Sequence, residues 1–365
     1  MGSRDPPENG MDRNPLCDVN VVSKTLLPTP REVEARRPLT PEALSTVSRG
    51  RRTVVDILEH QDPRWFAVVG PCSIHDLAAA REYAERLRAL ADEVADTLFL
   101  VMRVYFEKPR TSIGWKGFVN DPYLDDSFRI AEGLVMARGL LLDLATAGLP
   151  VATEALDPIT PQYLGDLVSV SAIGARTTES QPHREMASGL STPVGFKNAT
   201  DGSLESAVNA MQSASRPHSF LGIDQRGQCA VFRTRGNRHG YLILRGGDRP
   251  NHDAATVARV EGILAAAGMP ARLVVDCSHG NSGKDCTRQP AVLDDCVQQR
   301  LAGNRSIVGV MLESHLHGGS QPLGPDPSTL RYGVSITDAC LDWDTTARVL
   351  RDTRDRLRPA VEAAR

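Results

Sequence analysis

The residues best equipped for chemistry recur at one kind of place, the ends of short apolar runs. Eight such runs pass into GPCSIHD, RVYFEKPRT, TEALD, GARTTES, GFKN, LRGGD, DCSHG and LESHLH. A core strand has no structural use for Lys, Arg, His or Glu at its tip, because charged groups are rarely buried without a partner. Arg103, Lys108, Arg110, Arg176, Lys197 and Arg245 all lie in or just past these runs. Arginine offers a planar fork and lysine a compact charge, so the mixture suits a ligand carrying both phosphate and carboxylate. The structural use of the same residues is a ring of salt bridges with Glu154, Glu179 and Asp248.

A second group mixes soft and hard donors: Cys72 after the first run, His279 after the seventh, Glu313 in the eighth and Asp338 beyond it. A thiolate, an imidazole and two carboxylates suit a divalent ion such as Mn, Fe, Co or Zn. Each also has a plain structural use: Cys72 as a small core residue, His279 as a buried hydrogen-bonder, Asp338 as a helix cap. Cys277, His75, Asp276 and His315 are neighbouring candidates. Lys197 has a rival use as a Schiff-base lysine. The sequence holds no G-x-S-x-G elbow, no G-x-x-x-x-G-K-[ST] loop and no G-x-G-x-x-G after the first run, so serine-hydrolase, P-loop and dinucleotide readings lack support.

The elements that must position these groups follow from the runs themselves. Strands are expected at 65–70, 98–106, 149–156, 167–175, 192–198, 241–246, 271–278 and 305–314, with helices at about 76–96, 126–148, 160–167, 182–189, 203–214, 253–268, 290–302 and 344–361. Eight strands alternating with helices predict an α/β fold, a (β/α)8 TIM barrel, whose strand C-termini all face one mouth. FLGIDQRGQCAVFRTRGN breaks the rhythm and reads as a β-hairpin inserted between strands 5 and 6, and 316–335 as a long loop after the eighth strand. Residues 1–17, poor in apolar side chains, are expected to be a disordered tail. Residues 18–60 form an extension in which Thr40-Pro41 caps a helix, and 61–365 the catalytic barrel.

Bulk properties narrow the class. Lys+Arg 42 against Asp+Glu 45 gives a net charge of −3, without the basic field that nucleic acid requires. The apolar stretches fall short of a membrane span, and the N-terminus lacks the apolar core of a secretory signal. Seven cysteines without a C-x-x-C pair suggest a reducing cytoplasm.

GPCSIHD, MRVYFEKPRTSIGWKGFVNDP, AIGARTTESQPHREMASGLSTPVGFKN, LILRGG, DCSHGNSGKD and YGVSITDAC resemble the type I 3-deoxy-D-arabino-heptulosonate 7-phosphate (DAHP) synthases, and ATEALDP and FLGIDQRGQ look most like the tyrosine-sensitive isozymes. The resemblance implies metal-dependent, aldol-like condensation of phosphoenolpyruvate with erythrose 4-phosphate, releasing phosphate, in the shikimate pathway. By motif it implies Cys72, His279, Glu313 and Asp338 as ligands and Arg103, Lys108, Arg176, Lys197 and Arg245, with Glu154, as the phosphoenolpyruvate site. Lys108, Pro109, Arg110 and Thr111 match the erythrose 4-phosphate segment, and Lys108, His279 or a metal-bound water are the candidate proton carriers. It further implies feedback by an aromatic amino acid at Asp157, Pro161, Gln162, Ser191, Gly222 and Phe232, beside the extension and the hairpin. Gly222, leaving room that a serine would fill, points to tyrosine rather than phenylalanine. A homo-oligomer, dimer or tetramer, is expected because the extension needs another surface to cover it. The alternatives are another phosphoenolpyruvate–phosphoaldose condensing enzyme, or a Schiff-base aldolase using Lys197.

Overall fold

The computed structural model describes residues 16–110 and 113–365. The expected tail therefore lies largely outside the described residues, as does Thr111.

The eight apolar runs form the eight barrel strands, β1 (Trp65–Gly70), β2 (Leu98–Arg103), β3 (Val151–Glu154), β4 (Val170–Ile173), β5 (Val194–Lys197), β8 (Gly240–Leu244), β9 (Leu273–Asp276) and β10 (Ile307–Glu313). All neighbours pair in parallel, and β1 closes on β10 in register from Phe66 opposite Gly309 to Gly70 opposite Glu313. Both faces of each strand are buried, which is why the runs read as continuous apolar sequence. Alternate residues nonetheless divide the work. Phe66 and Val68 join Val101, Ala152, Val170, Tyr241 and Val274 inside the barrel, whereas Trp65, Ala67 and Val69 pack outward on the helices.

Several strands are shorter than expected. The second ends at Arg103 rather than at residue 106, so Val104–Phe106 leave the sheet and carry Lys108 over the mouth. The helix expected over 160–167 is α5 (Thr160–Leu164) followed by a 3-10 turn. The hairpin is present as β6 (Ser219–Ile223) and β7 (Cys229–Arg233), antiparallel and apart from the barrel. The long loop after β10 is pinned by bridges between Ser314 and Leu341, Gly319 and Cys340, and Ser320 and Ser335. This folding-back returns Asp338 to the mouth.

The extension holds two helices. Thr29-Pro30 opens α1 (Pro30–Arg36) with a reciprocal capping box to Glu32, and Thr40 accepts from the Ala43 amide to open α2 (Pro41–Leu58). Val54, Ile57 and Leu58 of α2 are fully buried against the barrel interior where the strands begin. The extension thus plugs the lower end, opposite the charged strand tips.

Candidate active site

The strand tips bring the predicted donors together. Cys72, fully buried after β1, has its sulfur 3.8 Å from Asp338 Oδ2, and single ligand atoms of Cys72, Glu313 and Asp338 all lie within 4.8 Å of one another. His279 Nε2 stands 3.8 Å from Glu313 Oε1 and 3.9 Å from Asp338 Oδ2. Donors about 2.0–2.3 Å from a shared ion are separated by distances of this order, so the set fits a divalent metal. Its mixed thiol, imidazole and carboxylate chemistry fits one too.

Each donor is fixed from behind. Gln289, fully buried, clamps Glu313 by donating to its carbonyl and accepting from its amide, both at 2.9 Å. Arg103 Nη2 donates to Glu313 Oε1 (2.9 Å) and to the Cys72 carbonyl (3.2 Å), while its guanidinium lies over the Tyr105 ring. His279 has φ of +52°, a left-handed conformation that persists only where surroundings enforce it. Its Nδ1 lies 2.8 Å from the Ser278 hydroxyl and 3.0 Å from Asp276 Oδ2, which leaves Nε2 turned to the cluster.

Lys108 Nζ donates to Cys72 Sγ and to the Cys72 carbonyl, both at 3.2 Å. Burial pushes the Cys72 thiol up and Glu313 adds to this, against the opposing charges of Lys108 and Arg103. Burial also weighs against the Lys108 ammonium, but Cys72, Glu313 and Glu154 keep its pKa above the ordinary lysine value. Lys108 is placed by a loop whose base is locked: its amide bonds the Lys116 carbonyl, and Glu107 bridges Gly117. Gly117 has φ of +116°, and a Cβ there would sit 2.1 Å from the Phe106 carbonyl oxygen.

The other cations are unequally drawn in. Lys197, buried at the end of β5, donates to Asp276 Oδ2 at 2.9 Å. Arg245, nearly buried after β8, has Nη1 3.3 Å from the Gly246 carbonyl. Glu154 is buried, and its Oε1 has no hydrogen-bond partner among the described residues. Arg176 is exposed; Arg110 is exposed as well, and its Nε turns back to the Trp115 carbonyl at 2.8 Å. Pro109 is half-buried beside it.

Sequence reasoning missed the framework beneath these groups. Asn198 accepts from the Arg245 amide and from Asn251, Asn251 accepts from the Gly246 amide, and Asn281 ties the Leu244 and Asp276 carbonyls, so three asparagines join the ends of β5, β8 and β9. The signal was present in GFKN, RPNHD and HGNSG, since a buried amide after a strand can satisfy loop backbone groups. Of the rival donors, Cys277 is a core thiol. His75 and His315 pack edge-on 6.1 Å apart, and burial drives His315 down to about 4. Asp276 matters as a hydrogen-bond hub.

The effector positions fall around a groove of about 1600 Å³ between α2, α5 and the hairpin, lined by Pro161, Gln162, Ser191 and Phe232 and reached from the mouth side by Glu107 and Glu154. Asp157 caps the turn into α5 through the Ile159 amide. At Gly222 a Cβ would meet the Phe232 ring at 3.0 Å, and Phe232 stacks on Phe220.

A closed parallel barrel with donors and cations gathered at its strand C-termini is the architecture of a (β/α)8-barrel enzyme acting on anionic substrates. Within that class the chain belongs to the DAHP synthetase I family, whose sequence profile matches residues 37–351. It is 54% identical to the Tyr-sensitive phospho-2-dehydro-3-deoxyheptonate aldolase of Escherichia coli over 95% of this chain and 98% of that one. It is 52% identical to the Phe-sensitive enzyme of the same organism over 94% and 96%. The solved structure of phospho-2-dehydro-3-deoxyheptonate aldolase from Francisella tularensis superimposes with a TM-score of 0.90 at 46% identity, covering 95% of this chain and all of that one. The barrel and the family read from the motifs are both borne out.

Proposed function

We propose that the chain condenses phosphoenolpyruvate with erythrose 4-phosphate and one water to DAHP and phosphate, the entry step to the shikimate pathway and aromatic amino acids. Cys72, His279, Glu313 and Asp338 would hold the divalent ion, Mn, Fe, Co or Zn. The observation that carries the reading is the approach of Cys72 and His279 to the same Asp338 oxygen, at 3.8 and 3.9 Å, although the three lie far apart in sequence. The chemistry such an ion supplies is Lewis-acid polarisation of the aldehyde that receives C3 of phosphoenolpyruvate.

The chain's own residues do the rest. Arg103, Lys108, Arg176, Lys197 and Arg245 would hold the phosphate and carboxylate of phosphoenolpyruvate, with Glu154 alongside. Lys108, Pro109, Arg110 and Thr111 would seat the aldose phosphate. Holding two mutually repelling anions in register removes an orientation cost of roughly 7–11 kcal/mol at best. His279 is engaged at both ring nitrogens, by Asp276 on one side and by the carboxylate cluster on the other. Lys108 Nζ, kept as the ammonium by Cys72, Glu313 and Glu154, is therefore the group best able to donate a proton to the aldehyde oxygen as the carbon–carbon bond forms.

Of the two rival readings, a Schiff-base aldolase requires a neutral Lys197. Its Nζ is instead tied to the buried Asp276 carboxylate at 2.9 Å. Borohydride trapping without chelator sensitivity would favour that aldolase; phosphate release with another phosphoaldose but not erythrose 4-phosphate would favour a sister condensing enzyme. The expected result is chelator-sensitive release of phosphate with phosphoenolpyruvate and erythrose 4-phosphate. No release from metal-loaded protein overturns the proposal.

Feedback inhibition by tyrosine is the regulatory reading. It is supported by the groove beside α5 and by the Tyr-sensitive relatives, and an assay with each aromatic amino acid tests it. Free thiols at all seven cysteines, and described helices too short or too polar to cross a membrane, support a cytoplasmic location.

A further inference from the structure

Asp276 is a buried carboxylate that touches both the proposed ligand His279 and the proposed substrate contact Lys197. It ends β9 with no exposed surface, and each of its oxygens is engaged. Oδ1 accepts from the Ser278 amide at 3.0 Å and from the Ser278 hydroxyl. Oδ2 accepts from Lys197 Nζ at 2.9 Å and lies 3.0 Å from His279 Nδ1, whose other neighbour, the Ser278 hydroxyl at 2.8 Å, is itself held by Oδ1. A lysine delivered by β5 and a histidine delivered by the loop after β9 thus share one oxygen. The loop is held so that neither partner drifts: the Gly280 amide bonds the Arg245 carbonyl (3.0 Å), the Lys284 amide bonds the His279 carbonyl (2.7 Å), and Asn281 bonds the Asp276 carbonyl (2.9 Å).

We propose that Asp276 is a positioning residue that links metal affinity to phosphoenolpyruvate affinity through its shared oxygen Oδ2. The inference rests on the reading of His279 as a ligand and Lys197 as a contact to the anionic substrate. A carboxylate behind a ligating imidazole fixes its tautomer and strengthens its donor nitrogen, an effect commonly of 10–100-fold in metal affinity. Here that carboxylate is divided between two cations. An anion arriving at Lys197 draws the ammonium away, so more of Oδ2 serves His279 and the ion is held more tightly. By reciprocity, an ion on His279 claims Oδ2 and releases the ammonium to the substrate, so phosphoenolpyruvate binds more tightly. The coupling is positive in both directions.

The test is a titration of Mn2+ into the metal-free full chain, read by calorimetry or by the spin resonance of free Mn2+, with and without saturating phosphoenolpyruvate. In the wild type, phosphoenolpyruvate should tighten Mn2+ binding several-fold. Asp276→Asn should bind Mn2+ roughly 10–100-fold more weakly and lose the dependence on phosphoenolpyruvate. Asp276→Asn with Mn2+ affinity within twofold of wild type, or with the dependence intact, overturns the inference. Lys197→Met, which has no donor, provides a second reading that does not need the aspartate variant to fold. Without phosphoenolpyruvate its Mn2+ affinity should rise, because Oδ2 then serves His279 alone, and an unchanged or weaker affinity overturns the inference. His279→Ala separates the two levels. If it binds Mn2+ as the wild type does, the ligand assignment fails and the inference with it. If it loses the ion while Asp276→Asn keeps it, only the inference falls.

Discussion

Glu107 is a carboxylate buried between the catalytic loop and the effector groove, 4% exposed, with Thr160 donating to its Oε1 at 3.3 Å. Burial pushes its pKa up to about 8 from an ordinary 4.5, and the facing charges of Asp157 and Glu154 add to the shift against hydrogen bonds from the Asp157 backbone and Thr160. A raised folded-state pKa means the folded protein holds this proton more tightly than the unfolded chain. The associated stability is present below about pH 4.5, is lost as pH rises through about 8, and beyond that stays lost. At about 1.4 kcal/mol per pKa unit the loss is roughly 3–5 kcal/mol. Glu107→Gln, neutral at every pH, should lack it, so denaturant unfolding should find the variant gaining on wild type between pH 5 and pH 9. Parallel pH profiles for the two proteins would remove Glu107 as the cause. At the other wall of the mouth, Cys72→Ala should cut metal affinity by more than the roughly 10–100-fold that an outer partner costs, with turnover falling in step. Metal content by mass spectrometry checks this, and full occupancy would exclude the sulfur as a ligand. Cys72, His279 and Glu313 could be picked out as candidates because they lie at the ends of apolar runs, and strand tips in a barrel converge, whereas Asp338 comes from the loop that folds back. Asp276 was named only as a rival donor and Gln289 and the three asparagines not at all, because a hydrogen-bond hub has no spacing rule; only the fold reveals which backbone groups need a partner.

At the scale of elements, the strands could be read because they are buried on both faces, and only their ends were misplaced. Val104 still donates to the Ala152 carbonyl at 2.8 Å, whereas Tyr105 and Phe106, equally apolar and buried, lie past that last bond to β3, and apolarity alone cannot mark where pairing stops. The helix α1 was hidden in its own brevity: seven residues carry no periodic signal, and only Thr29-Pro30 with Glu32 announces it. The role of α2 as a barrel plug was also invisible, since an amphipathic face does not name what covers it. It yields a prediction: Ile57→Ala should cost roughly 2–5 kcal/mol, as for a large aliphatic side chain removed from a closed core. A loss below about 1 kcal/mol in equilibrium unfolding would mean the lower end repacks freely. The loop base yields another. Gly117→Ala forces a methyl into the Phe106 carbonyl at a left-handed φ, so the loop must shift and take Lys108 with it. Turnover should fall by more than Mn2+ affinity, because the loop supplies no proposed ligand and touches the set only where Lys108 donates to Cys72. A fully active Gly117→Ala enzyme would show that the loop's grip is not needed.

For the whole molecule, the question is what covers the apolar side chains left outside the barrel. Val19, Val22 and Leu26 in the extension are 72%, 95% and 96% exposed, and Leu221 and Val231 on the hairpin are 84% and 63% exposed. The hairpin residues are register partners on its outward face, while Phe220 and Phe232 pair on the inward face, so alternation has placed an apolar pair toward solvent. The start of α1 and the hairpin turn also touch, through the Arg31 amide and the Gln225 carbonyl at 3.0 Å. Soluble monomers seldom display such clusters without a partner, and a net charge of −3 offers little repulsion between copies. The expected state is therefore a homo-oligomer, a dimer or a tetramer, joined through the extension and the hairpin. Light scattering at micromolar concentration should return a multiple of the 39.6 kDa chain, and the double variant Leu221→Asp with Val231→Asp should move it toward one chain without changing the circular dichroism of the barrel. Because the hairpin also lines the groove through Phe232, the same variant should lose sensitivity to tyrosine while keeping its response to chelator. A wild-type protein that scatters as a monomer would leave these side chains without a function in assembly.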